Sequence, residues 1–252
     1  MSKIALITGA TSGIGKACAD LFAAQGYDLV LLARRAALLE VISSALRETH
    51  HVNVKCLEVD VRDQEELAYR LDTLPAQWKK VNVLINNAGL SLGLDPIDKG
   101  NIMDWDTMID TNIKGLLYVT RLVSPWMVAE KTGHIVNIGS IAGQEVYPNG
   151  NVYCATKHAV DALSQGMRID LLPHGIRVTS VNPGMVETEF SMVRFKGDEG
   201  RARKVYDGLE PLAANDIAEA IWFAVSRPAH VNINDMLIMP TAQATATVIN
   251  RK

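Results

Sequence analysis

Tyr153 and Lys157 stand four positions apart, so on a helix they project from one face. A phenol ordinarily ionises near pH 10, too high for proton transfer at neutral pH, and a neighbouring ammonium favours its phenolate form. A tyrosine and a lysine at this spacing also arise by chance; what makes the pair informative is its company. Ser140 follows the apolar run His134–Ile138, and Asn86-Asn87-Ala88-Gly89 closes the run Val81–Asn86. Asn112 is a polar residue among Met108, Ile109, Ile113 and Leu116. Each has a plain alternative, Ser140 as a loop hydroxyl and Asn112 as a satisfied core amide. Together they are the parts of a proton-transfer site.

A second constellation opens the chain. Thr8-Gly9-Ala10-Thr11-Ser12-Gly13-Ile14-Gly15 follows the run Ile4–Thr8 and leads into a helical pattern. Glycines at such a turn let the backbone bend tightly, approach a pyrophosphate and pack helix on strand. The helix N-terminus adds free N–H groups and the positive end of its dipole. Gly9, Thr11, Ser12, Gly13, Ile14 and Gly15 are therefore candidate phosphate-binding residues. A site that takes NAD ends its second strand with a carboxylate for the ribose 2′-hydroxyl. Here the chain reads Leu31-Leu32-Ala33-Arg34-Arg35, and Asp28 comes too early. Two cations opening a helix oppose its macrodipole; a 2′-phosphate, gripped by a guanidinium fork, gives them a purpose. Arg34 and Arg35 thus point to NADP(H) over NAD(H), against the plainer reading of a solvated basic corner.

The elements that must position these residues can be read from the spacing of apolar positions. Apolar runs at Ile4–Thr8, Leu29–Ala33, Val54–Val59, Val81–Asn86, His134–Ile138, Arg177–Val181 and Met236–Met239 are mostly apolar on consecutive positions, as in parallel strands covered on both faces. Between them the period is helical, over roughly Gly13–Gln25, Ala36–Glu48, Asp63–Leu74, Asp104–Glu130, Asn151–Pro173 and Asn215–Ser226. Asp63 is placed to cap its helix with Glu66 as capping-box partner, and Gly26 and Gly133 follow helices where a left-handed residue is wanted. Such alternation means right-handed crossovers and a parallel sheet. The expected fold is α/β: a single-domain, doubly wound parallel sheet of Rossmann type, about seven strands with helices on both faces, spanning 1–252. The stretch Met185–Pro211 is charged, contains Gly197, Gly200 and Gly208, and has no clear period. A loop that long is functional or mobile in a compact domain, and it follows a strand's carboxyl end, where ligands sit. It is a candidate substrate lid, about 185–211.

Composition narrows the function classes. The chain has 252 residues, 48% hydrophobic and 21% charged, an ordinary globular balance. A net charge of −3 attracts neither nucleic acid nor anionic membrane. Cys18, Cys56 and Cys154 lie far apart, which fits neither a disulfide framework nor a zinc cluster. His50 and His51 are neighbours and lack the helical spacing of a metal pair, so no metal is expected. Met1–Lys3 runs straight into Ile4, leaving no room for a signal peptide, and no apolar stretch of about 18 residues suits a membrane span. A soluble, cytoplasmic protein is the expectation.

The combination resembles the short-chain dehydrogenase/reductase family along essentially the whole chain. The matching elements are TGxxxGIG at Thr8–Gly15, Asp60 after the third strand, NNAG at Asn86–Gly89, Asn112, Ser140, YxxxK at Tyr153–Lys157, and Pro183-Gly184 followed by Thr188. The resemblance implies that Tyr153 is the general acid/base, that Ser140 hydrogen-bonds the reacting oxygen, and that Lys157 holds the nicotinamide ribose while lowering the Tyr153 pKa. It implies a proton-relay water anchored by Asn112, adenine contact by Asp60, cofactor contact by Asn87, Ala88 and Gly89, and a nicotinamide lined by Ile138, Pro183, Gly184, Val186 and Thr188. Thr188–Pro211 and Pro228–Asn234 are similar to one branch, the NADP-dependent 3-hydroxy acid dehydrogenases, whose substrates include serine, 3-hydroxyisobutyrate and malonic semialdehyde. Such a substrate needs a cation for its carboxylate, and Arg194 is the candidate, ahead of Lys196, although Glu187, Glu189, Asp198 and Glu199 also make an ordinary solvated charge run of this segment. The alternatives are a broader carbonyl or 3-oxoacyl reductase for bulkier ketones and a dinucleotide-sensing protein without turnover. The family commonly forms tetramers, so a homotetramer is expected, with the apolar tail Met236–Asn250 between subunits. Cys154 is read as packing.

Overall fold

The first strand, β1 (Ile4–Thr8), is buried along its whole length, as a strand covered on both faces must be. The computed structural model describes residues 2–252. After β1 come α1 (Gly13–Ala24), β2 (Asp28–Ala33), α2 (Ala36–His50), β3 (Val54–Glu58), α3 (Gln64–Asp72) and β4 (Val81–Asn86). Then follow α4 (Ile102–Ile109), α5 (Leu116–Glu130), β5 (Gly133–Ile138), α6 (Asn151–Leu171) and β6 (Ile176–Pro183). The chain ends with α7 (Phe190–Arg194), α8 (Glu199–Lys204), α9 (Ala214–Val225) and β7 (Asp235–Ile238).

The seven strands form one parallel sheet in the order β3-β2-β1-β4-β5-β6-β7. The expected α/β doubly wound architecture is therefore the observed one. One face of the sheet buries Phe22, Leu29, Leu31, Ile217 and Ile221 under α1, α2 and α9. The other buries Leu6, Leu32, Leu84, Val123 and Val178, with Leu67 of α3 and Val119 of α5. All parallel strands point their carboxyl ends the same way, so Thr8, Ala33, Asn86, Ile138 and Pro183 finish along one edge. Register aligns them: Thr8 pairs with Leu32, Asn86 with Asn137, and Ile138 with Val181.

Four local expectations need correction. The long helix expected over Asp104–Glu130 begins at Ile102 and is interrupted by a π-helical turn, Asp110–Gly115, which carries Asn112; such turns frequently occur at functional sites. Gly26 does take the left-handed conformation with φ 79°, but after α5 it is Lys131 that does so, with φ 52°. Gly133 already lies in β5, where a Cβ would sit 2.6 Å from Met127 Sδ, so that glycine is there for packing. Asp63 caps α3 by accepting from Glu66 N–H, yet the reciprocal bond is missing: Asp63 N–H donates to the Asp60 carbonyl and Glu66 pairs with Arg70. The stretch read as an aperiodic lid contains two short helices, α7 and α8. No described helix is long and apolar enough to cross a membrane.

Candidate active site

Strand order reverses between β1 and β4, the crevice where open α/β sheets bind ligands. A cavity of about 550 Å³ opens there. It is lined by Gly9, Thr11, Ser12, Gly13, Ile14, Arg34, Arg35, Asp60, Asn87, Ala88, Gly89, Ser140, Tyr153, Lys157, Pro183, Gly184, Val186, Thr188 and Arg194. Gly15 and Asn112 sit behind this surface rather than on it.

The glycine turn is built by close approach. Gly9 has φ 66°, and a Cβ on Gly15 would lie 2.3 Å from the Gly9 carbonyl oxygen; a side chain there would push the helix off the turn. Asn87 Nδ2 donates to the carbonyls of Thr8 at 2.9 Å and Gly9 at 3.2 Å. Thr8 Oγ1 in turn accepts from the N–H groups of Asn87 and Ala88 at 3.0 and 2.9 Å. The NNAG segment is thus stitched to the glycine turn, and the two motifs form one floor. Ser12, the N-cap of α1, makes no side-chain cap bond.

At the far end, Arg35 donates to Thr11 Oγ1 and lies 2.9 Å from the Glu189 carboxylate. Arg34 reaches within 3.8 Å of Asp60, which Arg62 grips at 2.7 Å. Burial opposes the Asp60 charge, but the Arg62 and Arg34 guanidiniums outweigh it and hold the carboxyl below its ordinary value.

The reactive centre is more buried than the spacing alone suggests. Tyr153 and Lys157 share one face of α6 and are 7% and 6% exposed. Lys157 Nζ donates to the Ile138 carbonyl at 2.8 Å and stands 5.9 Å from the Tyr153 ring centre. Burial pulls the Lys157 ammonium down to about 8. It pushes the Tyr153 phenol well above its ordinary range, against the lowering effects of the Arg194 charge and a hydrogen bond with Ser140. The expectation that Lys157 tips this phenol toward phenolate is therefore corrected: desolvation wins, and the phenol is held in its proton-bearing form. Ser140 Oγ accepts from Ala142 N–H at 3.1 Å, and Asn182 Oδ1 accepts the Ser140 N–H at 3.2 Å.

The Asn112 amide is fully engaged. Its Oδ1 accepts from Leu90 N–H, and its Nδ2 donates to the Leu90 carbonyl and to Thr156 Oγ1, at 2.8, 2.8 and 3.0 Å. Its side chain thus anchors the loop after β4. It still faces Lys157 across Gly89, where a Cβ would lie 3.3 Å from Asn112 Oδ1 and 3.6 Å from Lys157 Nζ.

Arg194 comes from α7 to stand beside the phenol. Its guanidinium carbon lies 5.2, 5.3 and 5.9 Å from the ring centres of Tyr153, Phe190 and Tyr147. Nε donates to Ser91 Oγ at 2.9 Å and Nη2 to Tyr147 OH at 2.7 Å. Among the described residues no carboxylate pairs with it. Lys196 turns away, pairing with Asp104 at 2.9 Å. Tyr206 OH donates to the Val186 carbonyl, and Gln243 Oε1 accepts the Met185 N–H, so lid and tail are both tied to the strand β6 loop. The tail, expected between subunits, places Gln243 and Ala246 on the cavity wall.

A family model described as short chain dehydrogenase matches residues 3–199. The chain belongs to that family. It is 47% identical over 244 residues to the NADP-dependent 3-hydroxy acid dehydrogenase YdfG of Salmonella typhi, an alignment covering 96% of this chain and 97% of the relative. It is 45% identical over 245 residues to sulfoacetaldehyde reductase 2 of Chromohalobacter salexigens, covering 97% and 96%. Among solved structures it superposes on the closed form of a serine dehydrogenase complexed with NADP+, with a TM-score of 0.92, 44% identity and 99% of each chain covered.

Within this short-chain dehydrogenase, the residues brought together by the fold include every one anticipated at the cavity except Gly15 and Asn112, which support it from behind. Ser91, Tyr147, Phe190 and Arg62 escaped the sequence reading. Ser91 lies two residues past NNAG with nothing in its surroundings to mark it, whereas Tyr147 begins the turn Tyr147-Pro148-Asn149-Gly150 directly before α6, so a local signal existed for Tyr147 alone.

Proposed function

We propose that this short-chain dehydrogenase interconverts a short 3-hydroxy acid and its semialdehyde or oxo acid, using NADP(H). At the coarser level it is an NADP-dependent oxidoreductase acting on CH–OH groups. The observation that carries the finer reading is Arg194: a half-buried cation without a carboxylate partner, caged by aromatic rings against the buried phenol. A guanidinium with free donors recognises a carboxylate bidentately.

The residues present fit the cofactor. The glycine turn leaves no room for a Cβ where backbone must approach a pyrophosphate, and the start of α1 presents N–H groups not taken by the Ser12 side chain. Arg34 and Arg35 would hold the 2′-phosphate, Asp60 the adenine end, and Lys157, Asn87, Pro183, Gly184, Val186 and Thr188 the nicotinamide half. When bound, NADP(H) supplies or accepts the hydride.

In the reducing direction Tyr153, held in its proton-bearing form by burial, donates its hydroxyl proton to the substrate carbonyl oxygen; oxidation runs the same transfer in reverse and starts from the phenolate, which takes the alcohol proton. Ser140 lines the same cavity as that phenol and orients the reacting oxygen with its hydroxyl. Lys157, anchored on Ile138, places positive charge beside the phenol and stabilises the phenolate left after transfer. Asn112 holds the Leu90 loop against this centre and, in keeping with the family resemblance, lies beside the lysine where a relay water belongs. The segment 185–211 acts as a lid over the substrate.

A homotetramer in the cytoplasm completes the reading. The outer strand β7 pairs on one side only, and Ile169, Leu172 and Leu237 nearby are 73%, 75% and 46% exposed, the kind of apolar surface that marks interfaces. Cys18, Cys56 and Cys154 are free thiols, as suits a reducing compartment. Light scattering should give about four times the 27.5 kDa chain mass; a single chain mass overturns the assembly.

The deciding experiment is a substrate panel with NADPH and NADH: malonic semialdehyde, sulfoacetaldehyde and a neutral aromatic ketone. Preference for malonic semialdehyde with NADPH is expected. Preference for the neutral ketone overturns the acid reading in favour of a broader carbonyl reductase, and preference for the sulfonate names a different anion at Arg194.

A further inference from the structure

Arg194 is held with a care that binding a carboxylate does not by itself require. Arginine has five N–H donors; Ser91 takes Nε and Tyr147 takes one on Nη2, leaving the Nη1 pair and one further Nη2 hydrogen for a ligand. Both partners are themselves fixed. Ser91 is 1% exposed and follows Leu90, whose N–H and carbonyl are clamped by the Asn112 amide. Gly93 N–H also donates to the Arg194 carbonyl at 3.0 Å, tying lid backbone to the same loop.

Tyr147 is fixed by its turn. Gly150 N–H donates to the Tyr147 carbonyl at 3.1 Å and Asn149 has φ 63°, the pattern expected when proline occupies the second position of a tight turn and asparagine the third. Gly150 then lies flat against the phenol of Tyr147, where a Cβ would come within 2.1 Å of Cε2. The ring cannot swing toward α6, and its hydroxyl points at the guanidinium.

We propose that Ser91 and Tyr147 are positioning residues that set the substrate's length: by holding the Arg194 fork at one station over the Tyr153 ring, they select the spacing between the anionic head and the carbon that reacts. This rests on Arg194 being the group that binds the anion. An unclamped arginine, with its long flexible stem, still attracts an anion but follows it to several positions, so attraction survives while discrimination between chain lengths falls. Reactivity is that sensitive to placement because an ångström of misplacement separates productive from unproductive poses.

The test compares kcat/KM for 2-, 3- and 4-hydroxy acids of one homologous series, with a neutral alcohol of matching size as reference. Tyr147→Phe keeps the ring and removes the hydroxyl; Ser91→Ala removes the other hold; Gly150→Ala displaces the Tyr147 ring by an independent route. Each is expected to reduce the preference for the 3-hydroxy acid over its homologues about tenfold, the effect of losing one hydrogen bond to a charged group, chiefly through kcat, because the anion is still attracted but no longer held at one station. Arg194→Leu is expected to depress all three acids relative to the neutral alcohol without sharpening any length preference. Thermal melts establish that each variant folds, and Ser91→Ala still decides the matter should a turn variant fail to. If Tyr147→Phe and Ser91→Ala keep the parent's length preference while Arg194→Leu lowers rates on every acid, positioning is overturned and the anion assignment stands. If Arg194→Leu treats acids and neutral alcohol alike, the anion assignment falls and the positioning role with it.

Discussion

Arg35 joins the glycine turn to the lid: its Nε and Nη2 donate to Thr11 Oγ1 at 3.2 and 3.1 Å, while Nη1 lies 2.9 Å from Glu189 Oε2. A 2′-phosphate arriving at Arg35 meets a carboxylate already there. Glu189 is exposed, so the competition is modest. Glu189→Gln is expected to lower the NADPH dissociation constant about two- to fivefold and to leave that for NADH alone, as read by fluorescence titration at low salt. Equal tightening of both cofactors would mean that Glu189 acts on the shared diphosphate instead.

The cationic pair itself makes the larger prediction. Losing two charge-assisted contacts to one phosphate should cost on the order of a hundredfold in affinity. Arg34→Ala together with Arg35→Ala should therefore raise the NADPH dissociation constant by that factor and the NADH constant by little. A parallel rise in both would defeat the phosphate assignment.

The parts of the fold legible in the sequence are those set by local forces. β1 and β5 announce themselves because strands buried on both faces carry apolar residues on consecutive positions, with Thr8, His134 and Asn137 as the polar exceptions. Tyr153 and Lys157 share a face because helical spacing is fixed. Gly133 misled because a glycine after a helix can serve packing as well as turning, and here Lys131 accepts the left-handed strain. The π turn at Asp110–Gly115 left no trace, since one extra residue per turn shifts the phase of a pattern without erasing it. Ser91 and Tyr147 meet Arg194 across 103 and 47 positions, a contact with no local signature. The phenol's upward shift is hidden for the same reason: the spacing shows the lysine, and only the fold shows the burial.

Lys157 makes activity depend on pH in one direction. Burial lowers its pKa to about 8, so its ammonium is lost as pH rises through that value. Burial shifts Tyr153 the opposite way, upward, so Lys157 is the first of the pair to titrate as pH rises. For reduction, kcat/KM should be level from pH 6 to 7 and then fall through a single ionisation near 8. NADPH binding should weaken over the same interval, because the cation expected to hold the ribose disappears. A reduction profile still level at pH 10 would show that the lysine's charge is not needed.

Gly15 tests the floor of the cleft. A methyl group there would meet the Gly9 carbonyl at 2.3 Å and Asn87 Nδ2 at 2.4 Å, and the backbone oxygen cannot rotate away. Gly15→Ala should therefore separate α1 from the turn and weaken NADPH and NADH together by at least tenfold. That pattern contrasts with the cofactor-selective loss expected at Arg34 and Arg35. A variant that binds both dinucleotides like the parent would show that helix and turn are not held in the contact described.

His134 couples folding to acid on the face remote from the site. Its Nε2 lies 2.7 Å from Thr179 Oγ1, and that hydroxyl donates onward to the Ile233 carbonyl at 2.6 Å. The ring must therefore carry its proton on Nε2, leaving a buried Nδ1 with no partner. Burial, helped by the Arg177 charge, lowers its pKa to about 3. The unfolded chain binds this proton near 6.5 and the folded protein refuses it, so stability falls as pH drops from 6.5 toward 3. The loss contributed by one such group approaches about 1.4 kcal/mol per pH unit. His134→Leu cannot take up the proton, and its urea midpoint should fall less steeply than the parent's between pH 6.5 and 4.5, even if it is lower at pH 7.5. Parallel slopes for the two proteins would place the acid sensitivity elsewhere.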